Sequence, residues 1–447
     1  MRSLPLLVLA AVFAALPPVE SADRPNLILI MADDFGYECV RANGGESYQT
    51  PHLDRLAASG VRFENAHAYP LCTPTRVALM TGKHNVRNYL SFGTLPRTET
   101  TFANLLKSAG YATGICGKWQ LGHEVDSPEQ FGFDESCLWQ HTRRPPRYAN
   151  PGLEYNGVEK DFSKGEYGPD LVHDFALDFV TRHREAPFFL YYPMILTHDP
   201  FQPVPGSADW DPKAVGENVN RDERHFADMV AHLDGLIGSL DAKLSELGLR
   251  ENTLVLFLGD NGTSPKITSR FNGADYPGGK GSTKANGTHV PLIANWPAAM
   301  KKGRVCQDLV GAVDFLPTLS EAAGVDLPDG LDGVSFLPQL KGEKGHPRDA
   351  LYLWYSPRQK SDLTVKEYAF DHDHKLYRDG RFYDLAKDPF EQAPLGDGAS
   401  PEAREKLRAV LDQYQGARPE TLDRAFLGEN PGATSNGRKG KKKAKSP

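Results

Sequence analysis

The chain has 447 residues, with 51 Lys and Arg against 58 Asp and Glu, five cysteines and 40% hydrophobic residues, which excludes collagenous, disulfide-dense and wholly disordered proteins. A formal net charge of −7 argues against nucleic acid as a partner. The charge is uneven, because residues 438–445 carry six positive charges and leave the remainder at about −13.

Residues 1–22 read as a secretory leader. Arg2 precedes an apolar run over 4–16, followed by Pro17, Pro18 and small residues near Ser21 and Ala22. That run is too short to span a bilayer, and the alternative for it is a buried N-terminal helix or strand. No later stretch approaches about 20 uninterrupted apolar residues. The mature protein is therefore expected to be exported, periplasmic or secreted, and not integral to a membrane. Export permits disulfides, but five cysteines are too few for a disulfide scaffold, and no CxxC pair suggests zinc. The odd number leaves at least one thiol unpaired.

Four apolar runs, 26–32, 112–116, 188–196 and 254–258, read as buried strands of a mainly parallel sheet, because helical patterns lie between them. Thr50-Pro51 opens a helix that Gly60 closes, and Thr101 to Ala109 forms another closed by Gly110. Residues 225–247 repeat apolar side chains at near-helical spacing, from Phe226 through Leu233, Leu240 and Leu247, and predict a long amphipathic helix. After about Gly345 come strand-like pieces at 350–355, 368–370, 374–378 and 381–385, then a helical stretch at 401–415. The expected fold is thus α/β, a large mainly parallel sheet flanked by helices, with a smaller C-terminal antiparallel α+β subdomain. The expected division is leader 1–22, main domain 23–345, subdomain 346–425 and a disordered basic tail 426–447. The tail reads as solvated charge, and binding to an anionic polymer is its sharper alternative.

In parallel α/β sheets, ligands bind beyond the carboxyl ends of the strands. Here the first strand runs into Asp33-Asp34, the second into Gly117-Lys118, the third into His198 and the fourth into Asp260-Asn261. Each alone is compatible with a turn, but four such loops together are not easily coincidental. Asp33, Asp34, Asp260 and Asn261 offer only oxygen ligands, the set that suits Ca²⁺ or Mg²⁺. Asn261-Gly262-Thr263 and Asn286-Gly287-Thr288 also match glycosylation sequons, and the first reads as a site residue. Cys72 lies just before a predicted helix, where backbone N–H groups favour an anion.

The stretch Cys72-Thr73-Pro74-Thr75-Arg76 resembles the sulfatase signature C-x-P-x-R. The likeness extends across most of the chain. It takes in Asp33-Asp34-Phe35-Gly36, Gly117-Lys118-Trp119-Gln120-Leu121-Gly122, Thr197-His198-Asp199-Pro200, Gly259-Asp260-Asn261-Gly262 and Gly279-Lys280-Gly281. Val313-Asp314 through Leu319, Leu331-Asp332-Gly333, and Phe382-Tyr383-Asp384-Leu385 with Asp388-Pro389 and Glu391 resemble later family patterns. The chain is identified as a member of the formylglycine-dependent sulfatases, in the alkaline phosphatase superfamily.

That resemblance implies a sulfuric ester hydrolase acting on a sulfated small molecule or glycan. It makes 23–345 the catalytic domain. Cys72 would be oxidised to formylglycine by a maturation enzyme, and its hydrate would attack the sulfate sulfur with Ca²⁺ activation. The implied metal set is Asp33, Asp34, Cys72, Asp260 and Asn261. Cys72, Arg76, Lys118, His198 and Lys280 are the implied catalytic residues, and Lys118, His198, Lys280 and Gln120 would contact substrate. His198 or Lys280 would protonate the leaving alcohol. Gln120 departs from the family, which usually has a histidine there, and an amide cannot accept a proton at neutral pH. His123 is a substitute base only in principle. The alternatives are a phosphomonoester or phosphonate ester hydrolase on the same scaffold, and an inactive binder of sulfated glycans.

Overall fold

The computed structural model describes residues 24–301, 303–357 and 365–422. The expected leader and basic tail lie outside the described residues.

The central sheet has ten strands. In chain order these are β1 (Asn26–Ala32), β2 (Val61–His67), β3 (Ala112–Lys118), β4 (Glu135–Trp139), β5 (Gly152–Tyr155), β6 (Val158–Asp161), β7 (Phe188–Pro193) and β8 (Thr253–Gly259). A separate hairpin, β9 (Thr268–Phe271) and β10 (Ala274–Pro277), intervenes before β11 (Leu292–Asn295) and β12 (Arg304–Gly311). The order across the sheet is β12-β2-β11-β8-β1-β7-β3-β4-β5-β6. The four strands expected from sequence are therefore contiguous as β8, β1, β7 and β3, and each adjacent pair is parallel. Their carboxyl ends fall on one edge, which brings four loops distant in sequence together. β11 pairs antiparallel with its neighbours, as does β5. The sheet is mixed but mainly parallel.

β1 shows why this core forms. Leu27, Leu29 and Met31 enter the apolar cluster on one face, and Ile28, Ile30 and Ala32 the cluster on the other. A strand covered on both sides reads as an unbroken apolar run, because successive side chains point to opposite faces. One face is covered by α1 (Pro51–Ser59) and the helices Gly168–Arg182 and Phe226–Glu246. The other is covered by α2 (Cys72–Thr81) and the helices Phe102–Ser108 and Phe315–Ala322. Each fully buried aliphatic side chain contributes about 1.5–3 kcal/mol.

A four-stranded antiparallel sheet follows in chain order, β13 (Leu351–Tyr355), β14 (Lys366–Phe370), β15 (His374–Tyr377) and β16 (Phe382–Asp384), with the helix Pro401–Gln413. Its residues Leu353, Tyr368 and Leu376 lie in the same apolar cluster as Val77 and Leu79 of α2. The smaller sheet thus shares one apolar core with the helix that begins with Cys72.

Some boundaries differ from those read in sequence. β7 ends at Pro193, not at residue 196, and β3 continues to Lys118, so Lys118 is the last residue of a strand and not part of the following loop. Cys72 is the first residue of α2 instead of preceding it, with Leu71 as N-cap. All five thiols are free in the structure.

Candidate active site

Local backbone geometry sets the site. Gly117, one residue before the end of β3, has φ 124°, and a Cβ there would lie 1.9 Å from the Pro193 carbonyl oxygen. Only glycine lets β3 approach β7 this closely, and that approach aims Lys118 at the strand ends. α2 is buried along its whole length and is stopped by Gly82, whose N–H reaches the Ala78 carbonyl at 2.9 Å with φ 64°. Thr75 Oγ donates to the Asp260 carbonyl at 2.7 Å, which locks the first turn of α2 onto the loop after β8.

Asp33, Asp34, Asp260 and Asn261 are each at most 1% exposed. Lys118 Nζ donates to both Asp33 oxygens, at 2.9 and 2.8 Å, and lies 3.4 Å from Cys72 Sγ. Cys72 Sγ is 3.5 Å from Asp33 Oδ1. Arg76 NH2 meets Asp260 Oδ2 at 3.1 Å and Asp33 Oδ1 at 4.0 Å, while its NH1 donates to the Lys118 carbonyl at 2.9 Å. Arg76 thus reaches back one helical turn to tie the loops after β1 and β8 and the end of β3 to α2. Lys280 Nζ donates to Asp34 Oδ2 at 2.6 Å and lies 3.0 Å from His198 Nε2.

The electrostatics follow from burial against this charge pattern. Burial alone would raise the Asp33 carboxyl, but Lys118, His198 and Arg76 hold it below the ordinary range. Asp34 is likewise lowered against burial, chiefly by Lys280. Burial and the neighbouring Asp33 push Asp260 up to about 7. Burial, then Asp260, raises the Cys72 thiol to about 12. Burial pushes the His198 ring down to about 3 against the pull of Asp34 and Asp33, with Lys118 and Lys280 adding to the depression.

The site can hold a metal ion, and its oxygen donors suit a divalent cation. One ligand atom from each of Asp33, Asp34, Cys72 and His198 lies within 4.8 Å of the others. Asn261 spends its amide nitrogen on Asp34 Oδ1 and the Gly262 carbonyl, both at 2.9 Å, leaving a buried Oδ1 with no hydrogen-bond partner. An orphaned buried acceptor beside crowded carboxylates is the environment that a cation with oxygen ligands satisfies. Asp260 and Asn261 stand beside the tight group of four, tied to Asp34 through its N–H at 3.0 Å and through the amide bond.

Gln120 is nearly buried, with φ 55° and an Oε1 lacking a partner, and its N–H reaches the Gln140 carbonyl at 3.5 Å. His123 is held elsewhere, Nδ1 to the His141 carbonyl at 2.7 Å. Sequence reasoning missed Arg147, which is 2% exposed. It lies over the Trp139 ring at 4.1 Å, puts NH1 2.9 Å from His198 Nδ1, and pairs with Glu217 at 3.3 Å. Nothing in its run of arginines and prolines distinguishes it from a surface residue. Tyr148, whose hydroxyl donates to the His198 carbonyl at 2.5 Å, is equally silent in sequence.

Buried carboxylates at the carboxyl edge of a parallel sheet, a thiol at a helix N-terminus and three converging cationic side chains make a site suited to an anionic substrate. A family model for sulfatases matches residues 25–325, and a model for the C-terminal part of N-sulphoglucosamine sulphohydrolase matches 282–416. Arylsulfatase A of Bos taurus is 32% identical, covering 90% of this chain and 88% of its own. N-acetylgalactosamine-6-sulfatase of Mus musculus is 32% identical, covering 81% and 74%. The solved structure of Ps i-CgsB in complex with k-i-k-neocarrahexaose is 25% identical with a TM-score of 0.75, covering 92% of this chain and 98% of that one. The chain belongs to the sulfatase family and is a sulfuric ester hydrolase.

Proposed function

We propose that this enzyme removes sulfate from a sulfated carbohydrate, using formylglycine made from Cys72 and a calcium ion bound by Asp33, Asp34, Asp260 and Asn261 with residue 72. The observation that carries the reading is the position of Cys72, first in α2, with Sγ within 3.5 Å of both Asp33 and Lys118. When present, calcium supplies Lewis-acid stabilisation of sulfate oxygens and the modified residue supplies the nucleophilic oxygen.

The chain's own residues have distinct parts. Arg76 fixes residue 72 and the ligand loops, through Asp260 and the Lys118 carbonyl. Lys118 and Lys280 bind nonbridging sulfate oxygens from two sides and oppose charge that builds on them, in a buried setting where such contacts are strong. The depressed His198 ring is neutral at ordinary pH, so it orients the ester oxygen by hydrogen bonding. The lysine ammonium at 3.0 Å from its Nε2 holds the proton for the leaving alcohol. Gln120 offers a hydrogen bond to substrate and no base.

A carbohydrate substrate rests on Ps i-CgsB, solved with k-i-k-neocarrahexaose, and on the N-acetylgalactosamine-6-sulfatase relative. The proposal includes a leader over 1–22, export to the periplasm or medium, a maturation enzyme as partner, a catalytic domain over 23–345, a subdomain over 346–425 and a basic tail over 426–447. Among the described residues no helix is long and apolar enough to cross a membrane. Mass spectrometry of the Cys72 peptide from the native producer, with sulfate release from a panel of sulfated sugars, tests the reading. Formylglycine and sulfate release are expected. Unmodified cysteine with no release overturns it, and phosphate ester hydrolysis undiminished by Cys72→Ser replaces it with a phosphorus hydrolase.

A further inference from the structure

We propose that Lys375, Tyr377 and Glu391 of the C-terminal region are positioning residues for Lys280, so that the small sheet sets the placement of an active-site cation. The inference rests on the sulfatase reading above for its activity readout.

Lys280 sits in a loop whose backbone is held from several sides. Its own N–H donates to the Thr263 carbonyl at 3.0 Å, and the Gly281 N–H donates to the Pro70 carbonyl at 2.8 Å. The small sheet holds the loop through Thr283. Lys375 Nζ donates to the Thr283 carbonyl and to Glu391 Oε1, the latter at 2.7 Å. Tyr377 Oη donates to Glu391 Oε2 at 2.6 Å and so accepts from Thr283 Oγ, at 2.8 Å. Both carboxylate oxygens of Glu391 are thus used, and both polar groups of Thr283 that face the sheet are gripped.

Every member is buried: Lys375 at 3%, Tyr377 at 2%, Thr283 at 4% and Glu391 at 8% exposed. Lys375 also lies over the Tyr368 ring at 4.0 Å. A buried ion pair is a weak source of stability, because desolvation offsets most of the attraction. It does specify geometry when its polar groups are hydrogen-bonded, and here each Glu391 oxygen and the Tyr377 and Thr283 hydroxyls have a partner. Glu391 adopts φ 51°, a left-handed conformation that an ordinary side chain holds only when its surroundings fix it. The same strand of chain touches the loop again, since the Ala285 N–H meets the Pro389 carbonyl at 3.4 Å. At its active-site end the loop places Lys280 Nζ on Asp34, three residues from Thr283. Loosening Thr283 therefore acts on the site through Lys280.

Tyr377→Phe is the informative change, because it removes one hydroxyl and keeps the buried ion pair. Sulfate ester kcat/KM is measured for wild type, Tyr377→Phe, Lys280→Ala and the double variant, alongside hydrogen exchange across residues 278–288. The expected result is a loss of about 10-fold in kcat/KM for Tyr377→Phe, the size typical of a group that orients another, with faster exchange confined to this loop. In the Lys280→Ala background Tyr377→Phe costs nothing further, because the residue it positions is gone. A merely structural role predicts the same loss in both backgrounds. Additive losses, or a kcat/KM within about twofold of wild type, overturn the inference. Should wild type release no sulfate, the sulfatase reading falls. Exchange then decides the positioning claim alone: unchanged protection in Tyr377→Phe overturns it.

Discussion

Glu38 is 1% exposed, four residues beyond Asp34, and its carboxyl is governed by burial and hydrogen bonds, with no cation among the described residues acting on it. Its Oε1 accepts from Thr263 Oγ at 2.5 Å, and Thr263 Oγ in turn accepts from the Gly36 N–H at 3.1 Å, so this carboxyl buttresses the loop that carries Asp33 and Asp34. Burial raises it from 4.5 to about 7, with the Thr263 and backbone hydrogen bonds recovering only part of the shift. The folded pKa is above the unfolded one, so the folded chain binds more protons between these values. The resulting stability is fully present below about pH 4.5 and is lost as pH rises through about 7. Integrated from about pH 5 to about pH 8, this single group removes about 2–3 kcal/mol. Glu38→Gln keeps an acceptor for Thr263 and never ionises. Urea unfolding of both proteins at the two pH values isolates the group, because every other titration is common to them. The gap between Glu38→Gln and wild type should widen in favour of the variant by about 2–3 kcal/mol on going to the higher pH. An equal gap at both pH values refutes the account of Glu38 as a buried, uncompensated carboxyl.

Cys72→Ala should lower sulfate release by about 10⁴-fold while leaving the unfolding midpoint nearly unchanged, since it removes the nucleophile precursor from a helix that is otherwise intact. Arg76→Met leaves Asp260 buried without its partner and should destabilise by about 3–5 kcal/mol in denaturant titration. Gly117→Ala drives a Cβ to 1.9 Å from the Pro193 carbonyl at a positive φ. It should cost at least about 3 kcal/mol, and wild-type stability would show that β3 does not approach β7 in this way. Chelation should lower both activity and the thermal midpoint, with calcium restoring both, and a midpoint unmoved by calcium would refute a metal ligated by these buried carboxylates.

Much of the site was legible in the sequence, because the strands that carry it are covered on both faces and so appear as unbroken apolar runs ending in polar residues. β1, β3, β7 and β8 were found this way, and Asp33, Lys118, His198 and Asp260 follow from where those runs stop. β6, with the sequence VEKD and four exposed residues, lies at the sheet edge where both faces meet water and carries no apolar signal, whereas β11 is buried inside the sheet but is only four residues long, too short a run to stand out. The sequence by itself therefore determined the layered fold and the identities of the site's charged groups, since local burial patterns and motif order are properties of the chain. Only the tertiary structure decided which groups touch. Strand order made the four loops neighbours, Arg147 was brought to His198 from a run with no signature, and Lys375 and Tyr377 were carried from the C-terminal sheet to Thr283. These last contacts join residues 92 and 94 positions apart, and such pairings depend on sheet order and packing, which no local pattern encodes.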